Sequence, residues 1–200
     1  MSLKHAILGF LSFQSFTGYD LKQAFDNSVA HFWPADQSQI YRTLKQLHQE
    51  GLISQEVIPR EDRLDVKIYE ITDTGRGELH QWLSTPLPLT DTRDPFLIQL
   101  YFAFMLEDVQ AIRLLKAEME QVDQLMQVYE SVYQVATGRE HTPEEKRPLF
   151  YTMLTLEFGV RANTWYRHWL QEVVERIEAG EMDVLSPEAL FAPVRKEEKS

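Results

Sequence analysis

The chain has 200 residues, 44% of them apolar, and its 31 acidic against 20 basic side chains give a formal net charge of −11. This is enough apolar material for a real core in one or two small domains, while no run of about 18 apolar residues offers a membrane span. Cysteine is absent and no signal segment is recognisable, which excludes a disulfide framework and a thiol nucleophile and leads to the expectation of a cytoplasmic protein.

Residues 3–13 form an apolar-rich segment, broken by Ser15-Phe16-Thr17-Gly18, after which residues 19–32 read as a helix with Leu21, Phe25 and Val29 on one stripe. The next helix, QSQIYRTLKQLHQE, separates its faces cleanly. Ile40, Leu44 and Leu47 share the apolar stripe, and Ser38, Arg42, Lys45 and Gln49 stand opposite, with Gln39 and Gln46 at the margin. These are polar side chains that reach base edges or phosphates, and none is acidic, although Glu50 closes the helix. A merely solvated surface helix would look similar. Asp36 with Gln39 three residues on resembles a capping box, and Gly51 suits the left-handed position after the last turn.

Residues 52–58 and 65–71 contain β-branched side chains and read as two strands of a small hairpin, with Val66 and Ile68 on one face and Tyr69 and Ile71 on the other. Arg60 and Arg63 at the tip and Lys67 just inside the second strand suit a wing that meets phosphates, although Glu61 and Asp62 dilute the charge. Thr72 is placed to cap a following helix containing ELHQWL. Gly75-Arg76-Gly77 lacks the Lys-Ser or Lys-Thr of a phosphate loop. Three helices and a hairpin in this order make a winged helix-turn-helix, with residues 1–85 as the DNA-binding domain.

Residues 86–94 read as a linker, with Pro86 and Pro88 inside it and Pro95 just beyond. FLIQLYFAFML is apolar nearly all round and predicts a buried helix. From Asp108 onward, Ile112, Leu115, Met119, Val122, Met126, Tyr129, Tyr133 and Ala136 recur at alternating spacings of three and four, a seam for another long helix. Gly138, His141 and Pro143 interrupt the chain. Phe150, Leu154, Phe158, Ala162, Trp165, Trp169, Val173 and Ile177 then form a second stripe. Two helices alone leave part of these apolar faces bare, which points to a helical dimerisation domain over 95–180, followed by a tail over 181–200, although a monomer with a self-contained helical hairpin also fits.

Several of these landmarks resemble the PadR-like transcriptional regulators: GYDL, SQIYRTLKQLHQEGLI and KIYEITDTGRGEL, which together cover roughly residues 3–83. The FWPADQSQIY lead-in is similar to the branch with a long helical carboxy-terminal region related to virulence activators. The resemblance implies that Tyr19 and Tyr41 lie near the DNA backbone, that Ser38, Gln39, Arg42 and Lys45 face the major groove, and that Arg60, Arg63 and Lys67 come from the wing. It also implies a dimer through the carboxy-terminal helices and a response to planar aromatic compounds. Tyr41 fits equally as a flank of the core.

The fold expected is therefore mostly α with a small β-hairpin, an N-terminal winged helix-turn-helix plus a C-terminal helical dimerisation domain. The function expected is a homodimeric repressor on a pseudo-palindromic operator of double-stranded DNA. A winged helix that docks a protein partner is the other reading, since residues 1–85 carry eight basic and eleven acidic side chains. Enzymatic chemistry is not supported: there is no Gly-x-Ser-x-Gly, Walker or dinucleotide glycine pattern. No cofactor or metal is expected, because His141 with Glu144 and Glu145 lacks a second histidine at ligand spacing, and Glu157 with Arg161 reads as a helix ion pair. Phe158, Trp165, Trp169 and Val173 are the candidates for a dimer interface or effector pocket, with Tyr166 and His168 beside the indoles.

Overall fold

The structure, a computed structural model, describes residues 2–30, 32–59, 65–89 and 93–191. The chain divides into two compact units, 1–92 and 93–200. Among the described residues no helix is long and apolar enough to cross a membrane.

The first unit runs α1 (Ser2–Leu11), β1 (Phe16–Thr17), α2 (Gly18–Asp26), α3 (Gln37–Gln49), β2 (Ile53–Ile58), β3 (Val66–Ile71) and α4 (Asp73–Ser84). The expected hairpin is the larger part of a three-stranded antiparallel sheet ordered β1-β3-β2. Thr17, expected only in a break, pairs with Ile68 and also caps α2 through a hydrogen bond accepted from the Asp20 amide. The core gathers Ile7, Leu8 and Leu11 from α1, Leu21 and Phe25 from α2, Ile40, Leu44 and Leu47 from α3, and Ile53, Tyr69 and Ile71 from the sheet. Thr72 caps α4 as expected, but the helix starts at Asp73 and so contains the Gly-Arg-Gly. Gly51 follows α3 with a φ of 71°, the left-handed conformation that glycine adopts without a Cβ penalty.

The second unit runs α5 (Pro95–Tyr101), a short 3-10 helix (Ala103–Met105), α6 (Asp108–Thr137), α7 (Pro143–Ala179) and α8 (Pro187–Leu190). Two expectations are corrected here. The FLIQLYFAFML segment is not a buried helix: Phe96 alone in α5 is buried, while Ile98, Tyr101, Phe104 and Met105 are 64–80% exposed. The stripe through Phe150, Leu154, Phe158 and Trp165 does not face α6, since all four are exposed. The face of α7 that meets α6 carries Leu156, Gly159, Leu170 and Val174, with Trp169, Val173 and Ile177 packed around it. On α6 the expected seam is buried at Leu115, Met119, Val122 and Tyr129 and fades at the exposed Tyr133. Cross-helix polar pairs fix the register: Arg167 donates to both Asp123 oxygens at 2.6 and 3.2 Å, Tyr166 to Glu118 at 3.2 Å, and Asn163 to the Tyr129 hydroxyl at 3.4 Å.

Candidate nucleic-acid interface

Helix α3 starts from a complete capping box. Gln39 donates its amide to Asp36 Oδ1 at 2.7 Å, and Gln39 Oε1 accepts from the Asp36 amide at 3.1 Å. This satisfies amide groups that the first turn leaves open. It also commits the Gln39 carbonyl oxygen, so Gln39, which the resemblance turns to the major groove, works first as a cap. With Ile40, Leu44 and Leu47 fully buried, Ser38, Arg42, Lys45 and Gln49 are exposed on the other side. Neither Arg42 nor Lys45 has an ion-pair partner among the described residues.

Glu50, the one acid at the end of this helix, is held away from that role. Its carboxylate accepts from Gln46 Nε2 at 2.7 Å and from Lys4 Nζ of α1 at 3.1 Å. These bonds, the Gln46 amide first and the Lys4 ammonium next, depress the Glu50 pKa. Lys4 also reaches Glu78 of α4 at 3.0 Å. Burial works against the Lys4 charge, but the two carboxylates outweigh it and raise its pKa.

Tyr41, 41% exposed, flanks the exposed polar face of α3, with the hydroxyl end of its ring against Gly18 at the start of α2. Tyr19, 59% exposed, accepts a hydrogen bond from Gln23 at 2.9 Å through its hydroxyl. Tyr19, Tyr41 and Lys67 line one concavity of about 380 Å³, together with Gly18, Tyr69 and Asp65. Tyr69 is buried, and that burial, reinforced by Tyr41, raises its phenol pKa. Of the wing cations, Lys67 is exposed on β3 opposite Val57, whereas Arg60 and Arg63 lie outside the described residues. Gly18 and Tyr69 were not singled out as site residues by the sequence. GYDL was a landmark, but nothing in it reveals that the glycine underlies a ring 23 positions away.

In the second unit, Phe158 and Trp165 are 74% and 51% exposed, while Trp169 and Val173 pack against the α6–α7 core. The Trp169 ring stacks on Trp165 and Tyr166, with centroids 6.4 and 5.9 Å away. A groove of about 620 Å³ opens instead between α6 and α7, lined by Met126, Tyr129, Tyr133, Met153, Leu156 and Arg161. Hydropathy periodicity discloses only one of its walls: Met126, Tyr129 and Tyr133 belong to the expected α6 seam, whereas Met153, Leu156 and Arg161 lie off the expected α7 stripe. Among the described residues no cluster of His, Asp and Glu is arranged to hold a metal ion.

Comparison with known proteins matches residues 7–81 to the transcriptional regulator PadR-like family and residues 92–178 to the virulence activator alpha C-terminal family. The negative transcriptional regulator PadR of Bacillus subtilis is 30% identical over 177 residues, covering 88% of this chain and 97% of that protein. The crystal structure of Bacillus subtilis PadR in complex with operator DNA superposes with a TM-score of 0.77 at 30% identity, over 88% of this chain and 99% of that one. The structure of the same protein in complex with p-coumaric acid gives 0.74 at 30% identity, over 88% and 95%. The chain belongs to the PadR-like family of transcriptional regulators, DNA-binding proteins and not enzymes.

Proposed function

We propose that this regulator binds a pseudo-palindromic operator as a homodimer, acts as a repressor, and is released by a small planar aromatic effector. The observation that carries the reading is the outer face of α3, where Ser38, Arg42, Lys45 and Gln49 are exposed, both cations are unpaired among the described residues, and Glu50 is turned onto Lys4. Arg42 and Lys45 are the base and phosphate contacts, with Ser38 at the helix start. Tyr19, Tyr41 and Lys67 hold the backbone beside them, and Gln39 fixes the helix end that enters the groove. The complex of Bacillus subtilis PadR with operator DNA and that protein's description as a negative regulator support this reading.

Dimerisation is supported by the apolar side chains left bare in the second unit, Phe150, Leu154, Phe158 and Trp165 on α7 and Tyr101 and Phe104 near α5. A second copy covers such surface, and two-fold symmetry presents two reading helices to successive major grooves. The effector is supported by the p-coumaric acid complex of the same relative, and the α6–α7 groove of this chain, walled by Tyr129, Tyr133, Met126 and Met153 with Glu130 and the Glu157–Arg161 ion pair at its edge, suits a flat ring.

The test selects bound duplexes from a random pool and measures affinity and stoichiometry by fluorescence anisotropy and sedimentation. Two protomers per selected duplex are expected, with affinity falling as salt rises. Arg42→Ala is expected to weaken the selected duplex by about 5- to 150-fold, corresponding to about 1–3 kcal/mol for a base-reading contact, and random duplex far less. Affinity that is flat with salt and equal for selected and random DNA refutes the reading.

A further inference from the structure

Gly18 is the first residue of α2 and is buried, yet its backbone does not need glycine: the positive-φ glycines among the described residues are Gly51 and Gly180. Alanine is the better helix former at such a position. What a side chain would meet is Tyr41. A Cβ on Gly18 would lie 2.5 Å from Tyr41 Cε1, 2.7 Å from Cζ and 2.9 Å from the hydroxyl oxygen, all inside van der Waals contact. These atoms are the free end of a flexible side chain that is 41% exposed, so an added methyl group displaces the ring and leaves α2 and α3 in place.

The seat fixes where the Tyr41 hydroxyl stands. With the outer end of its ring against Gly18, the phenol shares the concavity with Tyr19 and Lys67 and sits near Tyr69, on the flank of the helix that carries Ser38 and Lys45. Asp20 and Asp65 also border this concavity, and Asp20 accepts from the Thr17 hydroxyl at 2.8 Å. Beside two carboxylates, a phosphate oxygen gains most from a donor already aimed at it, because its ordering cost has been met during folding.

We infer that Gly18 is a positioning residue for DNA binding: by leaving out a side chain it seats Tyr41 against α2, so that the phenol donates to a backbone phosphate from a fixed place. This rests on the proposed reading that Tyr41 contacts DNA. The full-length protein is compared with Gly18→Ala, Tyr41→Phe, Tyr41→Ala and the double variant Gly18→Ala with Tyr41→Ala, each by thermal melting and by anisotropy on selected and random duplexes.

Gly18→Ala is expected to keep or raise Tm while weakening both duplexes by about tenfold, the size of a lost hydrogen bond to a charged oxygen. Tyr41→Phe is expected to match it, and the double variant to bind no worse than Tyr41→Ala alone. If Tyr41→Phe and Tyr41→Ala bind as tightly as the parent, the DNA-contact reading of Tyr41 fails and the inference with it. If they weaken binding but Gly18→Ala does not, that reading stands and the positioning role is overturned. A fall in Tm in Gly18→Ala that Tyr41→Ala does not relieve makes the glycine a folding requirement and also overturns it.

Discussion

Lys4 stands where three helices of the first unit meet, with an ammonium 3.1 Å from Glu50 at the end of α3 and 3.0 Å from Glu78 on α4. Next to it, His5 stacks on Trp82 at 4.5 Å and approaches Glu78 at 3.3 Å. Glu50, through Gln46 and then Lys4, and Glu78, through Lys4 and then His5, both have depressed pKa values. A depressed carboxylate contributes stability that is present above its unfolded pKa, about 4.3, and is lost as pH falls through the folded value. Lys4→Ala should therefore lower urea stability at pH 7, and the gap to the parent should narrow at acid pH as the two depressed carboxylates take up protons. An equal gap at both pH values contradicts the ion-pair account. At this scale, local chemistry was legible: the Asp36–Gln39 box, the Thr72 cap and the Gly51 turn each need only a few neighbouring residues. The fate of Glu50 was not, because its partner lies 46 positions upstream and nothing in either neighbourhood announces the pairing.

Among the elements, α7 departs furthest from its hydropathy pattern. Its 37 residues carry apolar side chains on two faces, and spacing alone does not say which face meets α6. The choice is made by groups that hydropathy does not count. Gly159 lets the Tyr129 ring approach the helix backbone, Asn163 donates to that ring's hydroxyl, and Arg167 grips Asp123 on the same side. Leu170, fully buried, and Leu154, 39% exposed, test the two faces. Leu170→Ala should cost about 2–5 kcal/mol of stability. Leu154→Ala combined with Phe158→Ser should leave helix content intact and weaken self-association in sedimentation; unchanged association would remove this face from the proposed dimer. Similarly, α5 read as buried because it is apolar all round, yet seven residues on a short helix bury only what they touch, here chiefly Phe96.

For the whole molecule, the chain divides into two compact units at residues 92 and 93, and the bare apolar surface of the helical unit became visible only once the helices were in place. On the proposed dimer, folding and association share free energy, so Tm should rise with protein concentration by about 1–3 °C per tenfold. A Tm independent of concentration argues for a self-sufficient protomer. The withdrawal of Glu50 onto Lys4 has a further consequence, for the search along a genome. The chain carries a net charge of −11, and Arg42 and Lys45, without an ion-pair partner among the described residues, face outward from α3. Random duplex therefore offers it little counterion-release energy, and such encounters end quickly. On the proposed reading, the protein would sample a chromosome by brief visits and not by long slides, and the fit of α3 to the bases would decide how long it stays at any one site.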